Sequence, residues 1–266
     1  MNATGRRADA ASPIDAAFSA CRGRGEIALI PYLTGGFPTL REFAGHLEAV
    51  GAAGADVIEV GIPFCDPIAD GPTIQYSSQV ALAAGARLPA IFETLKSVKV
   101  AQPLVFMSYL NPLLAYGLPR LLADMRAVGA SGLIVADLPV EESGEVLAET
   151  RAAGVDLVFL AAPTSPDARL AAIAERASGF VYAVSRTGTT GVRAEVEAGL
   201  DALLSRLRAV VRAPVAVGFG ISTPAHVRDL RGRSDGAIVG SRLVDAIRNG
   251  EDIGQVVSEL KAATRA

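Results

Sequence analysis

Eight short apolar runs recur along the chain: Ile27–Tyr32, Val57–Val60, Leu104–Met107, Leu133–Ala136, Leu157–Leu160, Phe180–Val184, Val215–Val217 and Ala237–Val239. Each is nearly continuous in hydrophobicity instead of alternating, as a parallel strand covered on both faces requires. Between them lie Ala- and Leu-rich stretches at helical spacing, such as Phe43–Val50, Leu121–Val128, Val146–Ala152 and Leu200–Val211. Several strands are entered through small-residue turns, Gly54-Ala55-Asp56, Gly129-Ala130-Ser131-Gly132 and Gly154-Val155-Asp156, which read as helix stops. The repeating unit is βα, and eight of them predict an α/β chain folded as a (β/α)8 TIM barrel, with its site at the carboxyl ends of the strands. An open, doubly wound sheet is the alternative. Against it, the first strand runs into Pro31-Tyr32-Leu33-Thr34-Gly35-Gly36-Phe37-Pro38, with no Gly-x-Gly-x-x-Gly dinucleotide turn. Pro13–Cys21 reads as an extra N-terminal helix able to plug the bottom of the barrel. Residues 1–266 are expected to form a single barrel domain, with 1–12 disordered.

Composition narrows the function classes. With 266 residues, half of them hydrophobic, the chain can bury a substantial core. A net charge of −3 and dispersed basic residues supply no field for nucleic acid. No apolar run approaches 18 residues and the N-terminus lacks a signal-peptide core, so neither membrane insertion nor export is expected. Cys21 and Cys65 are too few for a disulfide framework; both read as small buried or half-buried thiols in a reducing, cytoplasmic setting.

Elimination then points to carboxylates. Both histidines, His46 and His226, fall in helical patterns, which argues against a histidine metal site or triad. Lys96, Lys99 and Lys261 are all assigned to helices, so no strand offers a Schiff-base amine. The strand ends supply Glu59, Asp66, Asp70 and Asp137 for proton transfer. Period-two alternation puts Val57, Glu59 and Gly61 on one face, and if that face is the barrel interior, Glu59 is a buried acid with a raised pKa. The alternative is that Glu59 faces outward to a helix arginine while Asp66 and Asp70 cap turns around Pro67 and Pro72. Three consecutive late strand ends are glycine-rich: Gly188-Thr189-Thr190-Gly191, Gly218-Phe219-Gly220-Ile221-Ser222 and Gly240-Ser241. One such turn is commonly just a tight βα connection. Three together look like a phosphate cradle, because glycine lets backbone N–H groups approach an anion and Ser241 opens a helix. Arg186–Arg193 reads as a glycine-hinged lid that would exclude water on closing.

At residues 59–75 the chain reads Glu-Val-Gly-Ile-Pro-Phe-Cys-Asp-Pro-Ile-Ala-Asp-Gly-Pro-Thr-Ile-Gln, and here it resembles the tryptophan synthase α subunit family. Val135–Ser143, Ser185–Gly191, Gly218–Ser222 and Gly240-Ser241 carry the resemblance further, over roughly residues 14–248. It implies retro-aldol cleavage of indole-3-glycerol phosphate to indole and glyceraldehyde 3-phosphate, in tryptophan biosynthesis, with no cofactor in this chain. It also implies an α2β2 assembly in which indole passes to a β subunit that holds the pyridoxal phosphate. Carried over by position, Glu59 would protonate the ring carbon and take the glycerol hydroxyl proton, and Asp70 would bind the indole N–H. Gly191, Gly220, Gly240 and Ser241 would hold the phosphate. Tyr32, Met107, Tyr109, Ile134, Ala136, Tyr182 and Phe219 would line the indole pocket. Arg186 and Thr190 would belong to the lid, with Thr190 reaching Asp70 on closure, and Pro63, Asp66 and Pro67 would face the β subunit. The chain departs from many members in Phe37 and Cys65, where aspartate and serine are common, and from some at Asn111-Pro112. Two other readings compete: a non-catalytic regulatory barrel, and another phosphosugar barrel such as an isomerase. The regulatory reading predicts loss of an acid, and both are present; the isomerase reading needs only the glycine turns.

Overall fold

The apolar runs become strands because each can be covered twice, by the barrel interior on one face and by helices on the other. A computed structural model describes residues 11–184, 193–218 and 220–265. Strands β1 (Ala28–Thr34), β2 (Ile58–Gly61), β3 (Leu104–Ser108) and β4 (Ala130–Val135) are followed by β5 (Asp156–Ala161), β6 (Val181–Val184), β7 (Val215–Gly218) and β8 (Gly236–Val239). All pair in parallel in chain order, and β8 returns to β1 to close the barrel. The predicted (β/α)8 architecture is therefore the observed one, and the open-sheet alternative is excluded.

The covering helices are α1 (Pro13–Gly23), α2 (Leu40–Ala52), α3 (Pro72–Ala83), α4 (Leu88–Ser97), α5 (Leu110–Tyr116) and α6 (Leu118–Ala127) in the first half. They continue as α7 (Gly144–Ala153), α8 (Asp167–Arg176), α9 (Arg193–Val210), α10 (Pro224–Leu230), α11 (Ser241–Arg248) and α12 (Ile253–Ala262). Residue alternation divides the core into two. Leu29, Leu33, Ile58 and Val60 point outward into a layer with Phe43, Leu47 and Ile91, whereas Ala28, Ile30, Tyr32 and Val57 point into the barrel. Each fully buried Phe or Leu of the outer layer contributes on the order of 2–3 kcal/mol of transfer free energy.

Helix α1 plugs the bottom, as its apolar spacing predicts. Ser12 caps it with a reciprocal Asp15 capping box, and Ile14, Phe18 and Cys21 turn inward. The Phe18 ring lies 5.6 Å from that of Phe180. The plug explains one misreading of the sequence. Gly129-Ala130-Ser131-Gly132 reads as a turn, yet Ala130–Gly132 belongs to β4. Those residues are small because a Cβ on Gly132 would come within 2.7 Å of Ile14 Cδ1. The strand is thinned there to admit the helix. Lys99 also differs from expectation, lying beyond the C-terminus of α4 and not within it.

A charge cluster ties the chain's end to this bottom face. Lys261 Nζ, on α12, donates to Glu26 Oε2 at 2.9 Å and Asp56 Oδ2 at 2.7 Å. Arg24 Nη2 donates to Asp56 Oδ1 at 3.0 Å, and Asp56 Oδ2 also accepts the Leu29 N–H at 2.8 Å. Burial pushes the Glu26 carboxyl up, but the Lys261 and Arg24 hydrogen bonds outweigh it and hold the group down at about 2. Among the described residues no helix is long and apolar enough to cross a membrane.

Candidate active site

The strand ends build a cavity of about 290 Å3 at the carboxyl mouth of the barrel. Its walls include Tyr32 from β1, Glu59 from β2, Met107 from β3, Tyr182 from β6 and Ile238 from β8, with Asp70 and Ile74 from the β2–α3 segment. Gly220, Ile221, Ser222, Gly240 and Ser241 complete one end. The strands carry Glu59 and the two phenols, and the segments that follow them add Asp70 and the glycine-rich end.

Glu59 faces inward, with 1% of its surface exposed, so the outward-facing alternative fails. The register sets its Cα beside that of Tyr32, and neither carboxylate oxygen has a hydrogen-bond partner among the described residues. Burial, reinforced by the nearby Asp70 charge, pushes its pKa up to about 8. Asp70 is held differently. Tyr109 Oη donates to Asp70 Oδ2 at 3.1 Å and accepts the Ala69 N–H at 2.9 Å. The Asp70 pKa is raised to about 6 by burial, opposed by the Tyr109 hydrogen bond. Near neutral pH the cavity therefore presents a proton on Glu59 and a negative charge on Asp70. Two carboxyls with environments that separate their titrations can act as acid and anion in one reaction.

The other strand-end acids do not join them. Asp137 Oδ1 accepts the Leu110 N–H at 2.8 Å and so closes the β3–α5 junction, outside the cavity lining. Asp66 is exposed, and Pro63 and Pro67, expected to face a partner, are buried within the chain. The surface of that loop is carried by Asp66 and by Ile68, which is 76% exposed. Cys21 is buried as expected, but Cys65 is exposed on this loop and not half-buried.

Of the expected indole-pocket residues, Tyr32, Met107 and Tyr182 line the cavity. Tyr109 reaches it through Asp70. Ile134 is fully buried in the barrel interior and Ala136 half-buried after β4, and neither lines the cavity. Alternation predicts that inner-face residues share a wall, but it does not say at what height along the strand the wall ends. Gly220, Gly240 and Ser241 stand together as expected, with Ser241 opening α11. No lysine or arginine appears among the described lining residues, so an anion there would be held by backbone N–H groups, the Ser241 hydroxyl and the helix terminus. Arg186, Thr190, Gly191 and Phe219 lie outside the described residues.

Sequence reasoning missed Ile74, His226 and Ile238, whereas Ile221 and Ser222 belong to the glycine-rich turn it named. His226 was set aside as helical, and helical it is, but it sits in the first turn of α10, where Thr223 accepts its N–H. Its Nδ1 is 3.3 Å from the Ser222 N. The Thr223-Pro224 start signal could have placed it beside the β7 terminus. Among the described residues no cluster of His, Cys, Asp and Glu could hold a metal ion.

Comparisons with known proteins match the chain in sequence and fold. A family model, Tryptophan synthase alpha chain, matches residues 18–266. The chain belongs to that family. It is 46% identical over 257 residues to the tryptophan synthase alpha chain of Roseiflexus sp., covering 94% of this chain and 98% of that one. It is 44% identical over 240 residues to that of Cyanothece sp., covering 89% and 90%. A solved structure of tryptophan synthase from Mycobacterium tuberculosis superposes with a TM-score of 0.89 at 36% identity, covering 97% of this chain and all of the matched chain.

Proposed function

We propose that this family member cleaves indole-3-glycerol phosphate to indole and glyceraldehyde 3-phosphate as a tryptophan synthase α subunit. The observation that carries the reading is the pair Glu59 and Asp70 in one cavity, one carboxyl protonated and the other charged near neutral pH. The carbon–carbon bond of the substrate can break only after the ring becomes an indolenine, whose nitrogen accepts the bonding electrons. Glu59 gives its proton to the ring carbon that bears the glycerol chain. Asp70 accepts a hydrogen bond from the indole N–H and stabilises the positive charge that grows on that nitrogen. Glu59, now a carboxylate, takes the proton of the glycerol hydroxyl next to the breaking bond, so that the carbonyl of glyceraldehyde 3-phosphate forms as the bond breaks. Met107, Ile74 and Ile238 supply apolar contacts for the ring. Gly220, Gly240 and Ser241, at one end of the same cavity, receive the phosphate.

The whole chain is read as one barrel domain working in the cytoplasm, with a tryptophan synthase β subunit as partner in an α2β2 assembly. The pyridoxal phosphate of that assembly belongs to the β subunit. The exposed Asp66 and Ile68 lie on the rim that such a partner would cover. The test is indole release from indole-3-glycerol phosphate by the purified chain, alone and with a β subunit. Asp70→Asn should lower kcat by on the order of 10²-fold or more, because the amide cannot carry the charge. Full activity in that variant would remove Asp70 from the mechanism.

A further inference from the structure

The turn that leaves β7 forms part of the cavity's glycine-rich end, and one histidine side chain is bonded to it. Gly220, Ile221 and Ser222 line that end together with Gly240 and Ser241. His226 lines it too, half-buried, although it belongs to the first turn of α10. Among the described lining residues it is the only side chain that carries a nitrogen.

The start of α10 explains how it gets there. Thr223 is the N-cap, its hydroxyl accepts the His226 N–H at 3.2 Å, and Pro224 takes the first helical position. His226 is therefore the third helical residue, the place where a capping box carries Glu or Gln, whose side chain reaches back to the N-cap N–H. Here the reach is one residue longer. His226 Nδ1 accepts the Ser222 N–H at 3.3 Å, and the Ser222 hydroxyl oxygen lies 3.4 Å from the same nitrogen. A ring nitrogen that accepts carries no proton, so the neutral imidazole holds its proton on Nε2. The bond ties the end of the glycine turn to the helix that follows, two residues from Gly220, whose φ of 91° is left-handed. Glycine gives that backbone extra freedom, and the His226 bond restrains it.

The residue type matters as much as the bond. A glutamate at this position would make the same reach back and would suit the helix dipole, but it would set a negative charge in the lining of an anion site. Imidazole supplies the acceptor without that charge. We propose that His226 is a positioning residue for the phosphate end of the cavity, a neutral acceptor that fixes the Gly220–Ser222 turn through the Ser222 N–H and keeps a carboxylate out of the cradle. This deepens the proposed function and rests on it for the identity of the anion. With its N–H committed to His226, Ser222 has its hydroxyl left to offer a phosphate.

Three substitutions separate the acceptor from the charge: His226→Leu removes both ring nitrogens, His226→Gln keeps a neutral acceptor, and His226→Glu keeps an acceptor but adds a charge. Calorimetry with sn-glycerol 3-phosphate reads the cradle without the ring, indole release reads KM against kcat, and urea unfolding reads the fold. His226→Leu should weaken glycerol phosphate and raise KM by about 3–10-fold, the effect of one lost hydrogen bond, with a smaller change in kcat. His226→Gln should stay within about twofold of the parent. His226→Glu should unfold at the parent's urea concentration or above it and yet bind glycerol phosphate about 10-fold or more weakly. A purely structural histidine predicts instead that Gln and Glu restore binding equally. That outcome overturns the proposal, as does parent-like affinity in His226→Leu or a Gln variant no better than Leu. If His226→Leu does not fold, the Gln and Glu variants still decide. Long-range proton–nitrogen NMR of the parent must place the ring proton on Nε2, and a proton on Nδ1 refutes the bond. A parent that binds glycerol phosphate but releases no indole fails the proposed function and leaves this inference to the binding data; a parent that binds no glycerol phosphate overturns the inference.

Discussion

Replacing Glu59 by Gln separates catalysis from stability in opposite directions. In the folded chain burial keeps the Glu59 proton on up to about pH 8, whereas the unfolded chain releases it near the ordinary value of 4.5. The folded state thus binds the extra proton between those values, and linkage makes stability fall as pH rises through that window. The sign is opposite to that of a salt-bridged acid, whose folded pKa is depressed. At ~1.4 kcal/mol per pH unit, the wild-type chain should lose on the order of 3 kcal/mol from this one group between pH 5.5 and 8.5. Glu59→Gln has nearly the same shape and no charged form, so its stability curve should be flatter than the parent's by about that amount. Urea unfolding of the two proteins at both pH values gives the difference, with titrating groups other than the coupled Asp70 cancelling in the comparison. Indole release by the same variant should fall by on the order of 10²–10⁴. Parallel stability curves would show that Glu59 is not a buried neutral acid, and near-normal turnover would show that it is not the proton donor.

Three further outcomes follow from the same geometry. The free-enzyme profile of kcat/KM should be bell-shaped, rising near pH 6 as Asp70 ionises and falling near pH 8 as Glu59 loses its proton, the two limbs belonging to the coupled pair. A profile flat from pH 5 to 9 refutes the assignment of acid and anion. Gly220 has φ of 91°, a left-handed conformation that disfavours a side chain, so Gly220→Val should weaken binding of substrate and of free glycerol phosphate by about 10-fold or more; unchanged affinity by calorimetry would misplace the phosphate site. Lys261→Met would leave Glu26 to Arg24 and Arg265 and Asp56 to Arg24 alone, and should cost about 1–3 kcal/mol, the loss of hydrogen bonds to charged groups that keep another cation. Glu26 has a depressed pKa, so the part of this loss that it carries should be full above its unfolded value of 4.5 and vanish as pH falls toward 2, which acid titration of the two proteins can follow.

The sequence revealed the barrel because its strands are covered on both faces and so read as unbroken apolar runs. It revealed Glu59 for a related reason: a charged residue in the middle of such a run, in phase with Val57 and Gly61, has to be either an error of register or a functional group. What it hid were features set by neighbours distant in the chain. Ala130–Gly132 is strand and not turn because Ile14 packs on it, and no local signal distinguishes a glycine that turns from one that makes room. His226 reaches the cavity because α10 begins within a few residues of the β7 end, and a helical pattern records only its face, not its distance from a neighbouring strand.

The distribution of charge within the barrel follows from these placements. The described cations that meet buried carboxylates, Arg24, Lys261 and Arg265, stand at the bottom, where they hold Glu26 in the ionised form and, through Glu26 and Asp56, tie α12 to the strands. At the mouth, the described lining contains no lysine or arginine; Asp70 accepts from the Tyr109 hydroxyl, and the Glu59 oxygens have no hydrogen-bond partner among the described residues. A cation beside Glu59 would hold it ionised and remove the proton that starts the reaction, just as Lys261 holds Glu26. On the proposed reading, an anionic phosphate in the same cavity would raise both mouth carboxyls further and so favour a protonated Glu59 when substrate is bound. The absence of a side-chain cation from the described cradle therefore has a chemical purpose. Backbone N–H groups can hold the phosphate while leaving the phosphate's charge only partly neutralised, so that substrate itself favours the acid form of Glu59.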